Sequence, residues 1–226
     1  MGAVNLMLIG AALIVNGLSI LGRISNKGAA PINIIVGSMY LIVPAVAIMS
    51  APDDPYVLMA QAGVFLFGVT YLWLGLNKQT GAKNEGLGWF CGYCAALMAI
   101  FGSFYGIAQG DWTSFVMWLA WSALFSLFFT SIVFGKGTSG YIGMNCIIQG
   151  LTTTTIPALL MIFGAFDGWV ASPLTMSIAV TATFAFSYGI GKKLLAAQPV
   201  VDQPVPVELV SPLSLADITD THTTAA

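Results

Sequence analysis

The strongest constraint on this chain is where its charges are absent. Seven apolar stretches, at about 4–22, 30–50, 56–76, 87–108, 112–135, 141–165 and 172–191, hold no Asp, Glu, Lys, Arg or His. Between them lie short polar breaks reading RISNKG, APDDP, NKQTGAKNEG, AQGD, GKGTSG and FDGWVAS. A helix needs about 20 apolar residues to cross a bilayer. In hydrocarbon each backbone N–H and C=O must be satisfied within the protein, so an apolar run of this length reads as a helix. Only 7% of the 226 residues are charged, against roughly a quarter in a soluble domain. The expected fold class is therefore an all-α membrane protein: a bundle of six core transmembrane helices plus a seventh C-terminal transmembrane helix. The first run lacks a basic flank and reads as a retained helix rather than a cleaved signal.

Charge placement tests that count. With seven spans, Arg23, Lys27, Lys78, Lys83, Lys136, Lys192 and Lys193 all fall on one side, and Asp53, Asp54, Asp111 and Asp167 on the other. The positive-inside rule makes the basic side cytoplasmic. The N-terminus is then outside and the C-terminus inside. The expected organisation is a core over 1–165, an extra transmembrane helix over 166–193 and a disordered cytoplasmic tail over 194–226, where Pro, Thr and Asp are frequent.

Ionisable groups at membrane depth mark proton relays, coupled carriers and voltage sensors. Their absence here argues against those classes, and the seventh span lacks the lysine a retinal protein needs. The remaining polarity is uncharged: Asn16, Thr70, Tyr71, Asn145, Gln149 and Thr152 to Thr155. Moving an ion into a dry path costs tens of kcal/mol, against about 4–8 kcal/mol for an amide. The composition thus favours a neutral solute over an ion. Asn16, Gln149 and Thr152 either line a passage or pair helices. The four threonines precede Pro157, and their hydroxyls either satisfy carbonyls freed there or face a solute.

Trp118, Trp121 and Phe125 share one face of the fifth span. Such a stripe either packs against neighbours or lines a passage. Cys91 and Cys94 have CxxC spacing within an apolar helix, which suits small-residue packing, as do Gly88…Gly92 and Gly102…Gly106. With Cys146 also in an apolar stretch, no disulfide framework is implied. His222 lies in the tail. No nucleophile–base pair, metal cluster or phosphate loop is found, so no catalytic or metal residue, cofactor or enzyme activity is expected. The net charge of −2 does not point to nucleic acid.

Several segments in order, LIGAALIVNG, ILGRIS, FGVTYLWLGLN, GLGWFC, WLAW and IIQGLTTTTIPALL, resemble the AmiS/UreI family of urea and short-chain amide channels or transporters. The resemblance covers about residues 4–165. It implies a six-helix bundle with a pore in every protomer and a homo-oligomeric, hexameric ring in the bacterial inner membrane. By position, Leu6 and Leu13 match aliphatic pore residues. Phe67, Tyr71, Trp118 and Trp121 match an aromatic constriction, and Phe125 stands where the family has Trp. The implied permeant is urea or a short-chain amide, with a cytoplasmic amidase or urease as a supply link.

Three departures carry meaning. The family's acid-gated urea channel has a histidine-rich outer loop; here that loop is APDDP, so histidine titration near pH 6 cannot gate the protein from outside. Gln149 stands where that channel has glutamate, as in the amide branch. The seventh span and tail lie beyond the six-helix pattern. The expectation is a passive, histidine-independent amide channel. Its rivals are an ion-coupled carrier and a membrane scaffold acting through the tail.

Overall fold

The computed structural model describes residues 2–191 and 193. The expected disorder of 194–226, and His222 within it, lie outside the described residues.

Helix starts follow local capping chemistry. The first four N–H groups of a helix have no partner within it, and a side-chain oxygen just upstream supplies one. Helix α1 spans Ala3–Ile20. Ser25 accepts from Gly28 N at 3.0 Å and opens α2, Asn26–Ser50. Asp54 accepts from Tyr56 N and Val57 N at 2.8 and 3.2 Å and opens α3, Pro55–Thr80; Pro55 suits the first helical position because its missing N–H costs nothing there. Helix α4 spans Glu85–Gln109. It stops where Gly110 takes φ +69°, a conformation that penalises any residue with a Cβ. Asp111 then accepts from Ser114 N at 2.9 Å and opens α5, Trp112–Phe134. Two of the aspartates assigned to the outer side are thus helix caps.

Helix α6 runs over Ser139–Ile162 and is not regular. Its middle, Gly150–Thr155, is a π-helical turn between two α-helical segments. Pro157 has no N–H to offer the preceding turn, and a wider turn is one way a helix absorbs that loss. Thr152, Thr153 and Thr154 each donate a hydroxyl to the carbonyl four residues earlier, at 2.9, 2.9 and 2.6 Å, and Thr155 donates to Gly150 O at 2.6 Å. Helix α7, Pro173–Gly191, is the last described span.

All seven helices are long and apolar enough to cross a membrane, and no strand occurs among the described residues. Ile42, Met49, Ile100, Ile107 and Phe186 are among the large apolar side chains left on the outside, as a lipid-facing surface requires.

Packing is dominated by three pairs: α2 on α3, α4 on α5, and α1 on α6. Small residues set these distances. A Cβ at Gly37 would meet the backbone of Leu72, so α2 and α3 are in direct backbone contact there. Cβ atoms at Gly88, Gly92, Gly102 and Gly106 would each meet a side chain of α5: Ile132, Phe129, Trp118 and Trp112 respectively. The glycines of α4 therefore form the groove that receives α5. Cys91 and Cys94 lie buried as free thiols. Helix α7 is the most peripheral span. It packs on α6 and α5. Thr183, Ser187 and Gly191, spaced one turn apart, are buried, and Thr183 Oγ1 lies 3.0 Å from Thr152 Oγ1 of α6.

Candidate functional site

Between α1, α3 and α5 the aromatic stripe turns inward. Phe67 is its hub. Its ring centroid lies 5.5 Å from Trp121, 5.7 Å from Phe125, 6.3 Å from Trp118 and 6.4 Å from Tyr71. The first two contacts are edge-on and the last is stacked. Edge-to-face and offset-stacked geometries suit the ring quadrupole and lock neighbouring rings together. Trp118 meets Trp121 edge-on at 5.2 Å. Phe101 and Tyr105 of α4 pack on the other side of Trp118, at 5.7 and 6.3 Å. Leu6 and Leu13 of α1 belong to the same core. All seven residues matched to a passage are at most 5% exposed. The structure thus brings them together in one cluster.

The cluster has two polar flanks. On one, Trp121 Nε1 donates to Thr153 Oγ1 at 3.1 Å, and Thr153 donates to Gln149 O at 2.9 Å. Gln149 Nε2 donates to Asn145 Oδ1 at 2.8 Å and to Ala120 O at 3.3 Å. Gln149 Oε1 and Asn145 Nδ2 are buried without a partner. On the other flank, Asn16 and Asn33 exchange two reciprocal amide hydrogen bonds of 2.7 and 2.8 Å. Every buried polar residue among those described is uncharged.

A cavity of about 250 Å³ opens next to the rings. Leu13, Tyr71 and Phe125 form part of its wall, together with Asn16 and Thr70. Lys78 stands at its polar end, donating to Ser19 Oγ at 2.8 Å and Asn26 Oδ1 at 2.9 Å. Three of the matched residues thus face open space. Leu6, Phe67, Trp118 and Trp121 lie deeper in the closed part of the cluster.

The three polar residues with a double expectation all pair helices. Asn16 joins α1 to α2, Gln149 joins α6 to α5, and Thr152 joins α6 to α7. Asn16 also reaches the cavity. Sequence reasoning missed Asn33, Lys78, Phe101 and Tyr105. Asn33 is a polar residue at depth and was visible as such, but nothing local names Asn16 as its partner. Lys78 served only to orient the spans.

Seven apolar helices around an uncharged, buried ring cluster, with no group of three metal-ligating side chains among the described residues, define a multi-pass membrane protein. The chain belongs to the AmiS/UreI family of transporters: residues 1–165 match the profile described as "AmiS/UreI family transporter". It is a membrane transport protein, not an enzyme. It is 36% identical to a Mycolicibacterium smegmatis protein named for the transport of amidate substrates, over 93% of this chain and 99% of that one. It is 28% identical to the acid-activated urea channel of Helicobacter pylori, over 69% of this chain and 94% of that one. The crystal structure of the urea channel from that organism superposes with a TM-score of 0.64 at 27% identity, covering 73% of this chain and 98% of the other. Coverage of 93% cannot be reached within residues 1–165. The likeness to the mycobacterial protein therefore continues beyond the matched core.

Proposed function

We propose that this protein passes small neutral amides, urea and acetamide-like aliphatic amides, down their gradients through one slot in each protomer. The observation that carries the reading is the buried, charge-free cluster of Leu6, Leu13, Phe67, Tyr71, Trp118, Trp121 and Phe125 beside an open cavity. Flat rings and leucines admit a planar solute stripped of most of its water. Desolvating an amide costs about 4–8 kcal/mol, which a few hydrogen bonds and close ring contacts offset; the tens of kcal/mol for an ion have no such compensation there. The hydroxyl of Tyr71 and the indole N–H groups supply donors. That of Trp121 rests on Thr153 and exchanges partners as solute passes.

The names of the relatives support the solute class, one being an amidate transporter and another a urea channel. The continued likeness past residue 165 favours the amide branch. The outer loop APDDP has no histidine, and the sequence's one histidine is His222 in the tail, so passage is independent of histidine protonation. The proposed setting is the bacterial inner membrane, N-terminus outside and C-terminus in the cytoplasm. There the chain forms a homo-oligomer, hexameric by family resemblance, and a cytoplasmic amidase or urease consumes the solute and maintains the gradient.

Imposed ion gradients separate a channel from a coupled carrier. In proteoliposomes with an inward proton or sodium gradient, labelled acetamide is expected to reach the outside concentration and stop. Accumulation above that level replaces the channel with an ion-coupled transporter.

A further inference from the structure

The cavity beside the rings carries more positive charge than a neutral solute needs. Lys78 projects into it, and its hydrogen-bond partners among the described residues are both neutral. Its ammonium has three protons. Two go to Ser19 Oγ at 2.8 Å and Asn26 Oδ1 at 2.9 Å, and Ser19 itself donates to Asn26 Oδ1 at 3.2 Å. This triangle fixes the ammonium and leaves its third proton without a hydrogen-bond partner among the described residues.

Three helix starts add to that charge. Asn26 is the first residue of α2, Asn84 caps α4, and Ser139 begins α6, and all three line this cavity. Helix N-termini carry a positive partial charge of about half a unit. No acidic residue among those described lines the cavity. Glu85, next to Asn84, is largely exposed and pairs with Lys83 at 3.8 Å.

We propose that this cavity is a binding site for a small monocarboxylate, its carboxylate held by Lys78 and its short alkyl chain lying against Leu13, Leu74 and Ile142. The volume of about 250 Å³ suits a compact acid. A cation is repelled. An amide offers its carbonyl to Lys78 but no charge. The anion cannot continue through the rings, because desolvating a charge there is too costly, so it occupies the mouth of the slot and competes with permeant. The choice of carbon skeleton rests on the amide reading above: hydrolysis of such an amide releases this carboxylate. The site would make the passage sensitive to the product of the reaction that consumes its solute.

Propionate is the test ligand. The purified full chain in detergent is titrated with sodium propionate at pH 7.5 and constant ionic strength, and binding is read by saturation-transfer NMR. Wild type is expected to bind saturably. Lys78→Gln is expected to weaken binding about tenfold or more, since a charge-assisted hydrogen bond is lost. Lys78→Arg, which keeps the charge, is expected to restore most of the affinity and shows that the fold tolerates change at this position. No saturable binding by wild type, or equal affinity in Lys78→Gln, overturns the proposal. Amide uptake into vesicles is measured separately, so failure of the permeation reading is distinguishable from failure of this site.

Discussion

Phe67→Ala is expected to lower stability and to widen what the slot passes. The ring touches four others, from α3 itself and from α5. Its removal leaves a cavity that neighbours on rigid helices fill only in part, at a cost of roughly 3–5 kcal/mol. The gap lies between Tyr71, Trp118, Trp121 and Phe125, where the proposed passage is closed. A nonplanar solute such as glycerol should then enter vesicles about tenfold or more faster than with wild type, while Phe67→Leu, which keeps much of the volume, stays close to wild type in both respects. Thermal unfolding in detergent and stopped-flow light scattering read the two effects. An unchanged unfolding midpoint with glycerol still excluded would remove Phe67 from its central place.

Asn33→Leu is expected to be the most damaging change away from the rings. Asn33 gives and takes one hydrogen bond with Asn16 and donates a second to Ala29 O at 2.7 Å. Leucine has similar bulk but no amide, so Asn16 would be left buried with both its polar ends unpaired. A stranded buried polar group costs about 1–3 kcal/mol. Between membrane helices, measured hydrogen-bond contributions are smaller, about 0.6 kcal/mol on average. The stranded amide therefore decides the size of the loss. The double variant Asn16→Leu with Asn33→Leu should recover part of it, because no amide is then left alone. A double variant less stable than Asn33→Leu would mean the pair contributes through shape rather than through hydrogen bonding.

Much of this arrangement is legible in the sequence because the bilayer allows few answers. Once each apolar stretch must be a helix, the polar breaks fix the number of spans, and the basic residues sort to one side. The spacing of Trp118, Trp121 and Phe125 likewise puts them on one face before any packing is known. What one sequence cannot supply is the identity of long-range partners. Asn16 and Asn33 are both visible as polar residues at depth, yet their pairing depends on how α1 meets α2. Lys78 looks like a marker of the membrane surface because its use depends on Ser19 and Asn26, on other elements. Helix ends shifted for a local reason: α3 continues to Thr80, past the expected 76, because Asn77 Nδ2 can donate to Asn84 Oδ1 at 2.9 Å and Lys83 O at 3.2 Å and stay satisfied. The π-helical turn in α6 was signalled only by Pro157, which predicts a disturbance but not its form.

The most direct measurement follows urea, acetamide and glycerol entering proteoliposomes by stopped-flow light scattering at pH 7.5 and pH 5. The account predicts that urea or acetamide enters faster than in protein-free vesicles, at similar rates at both pH values, while glycerol shows no comparable gain. Absence of any increase for all three solutes would contradict a passive slot. An increase confined to pH 5 would contradict ungated passage.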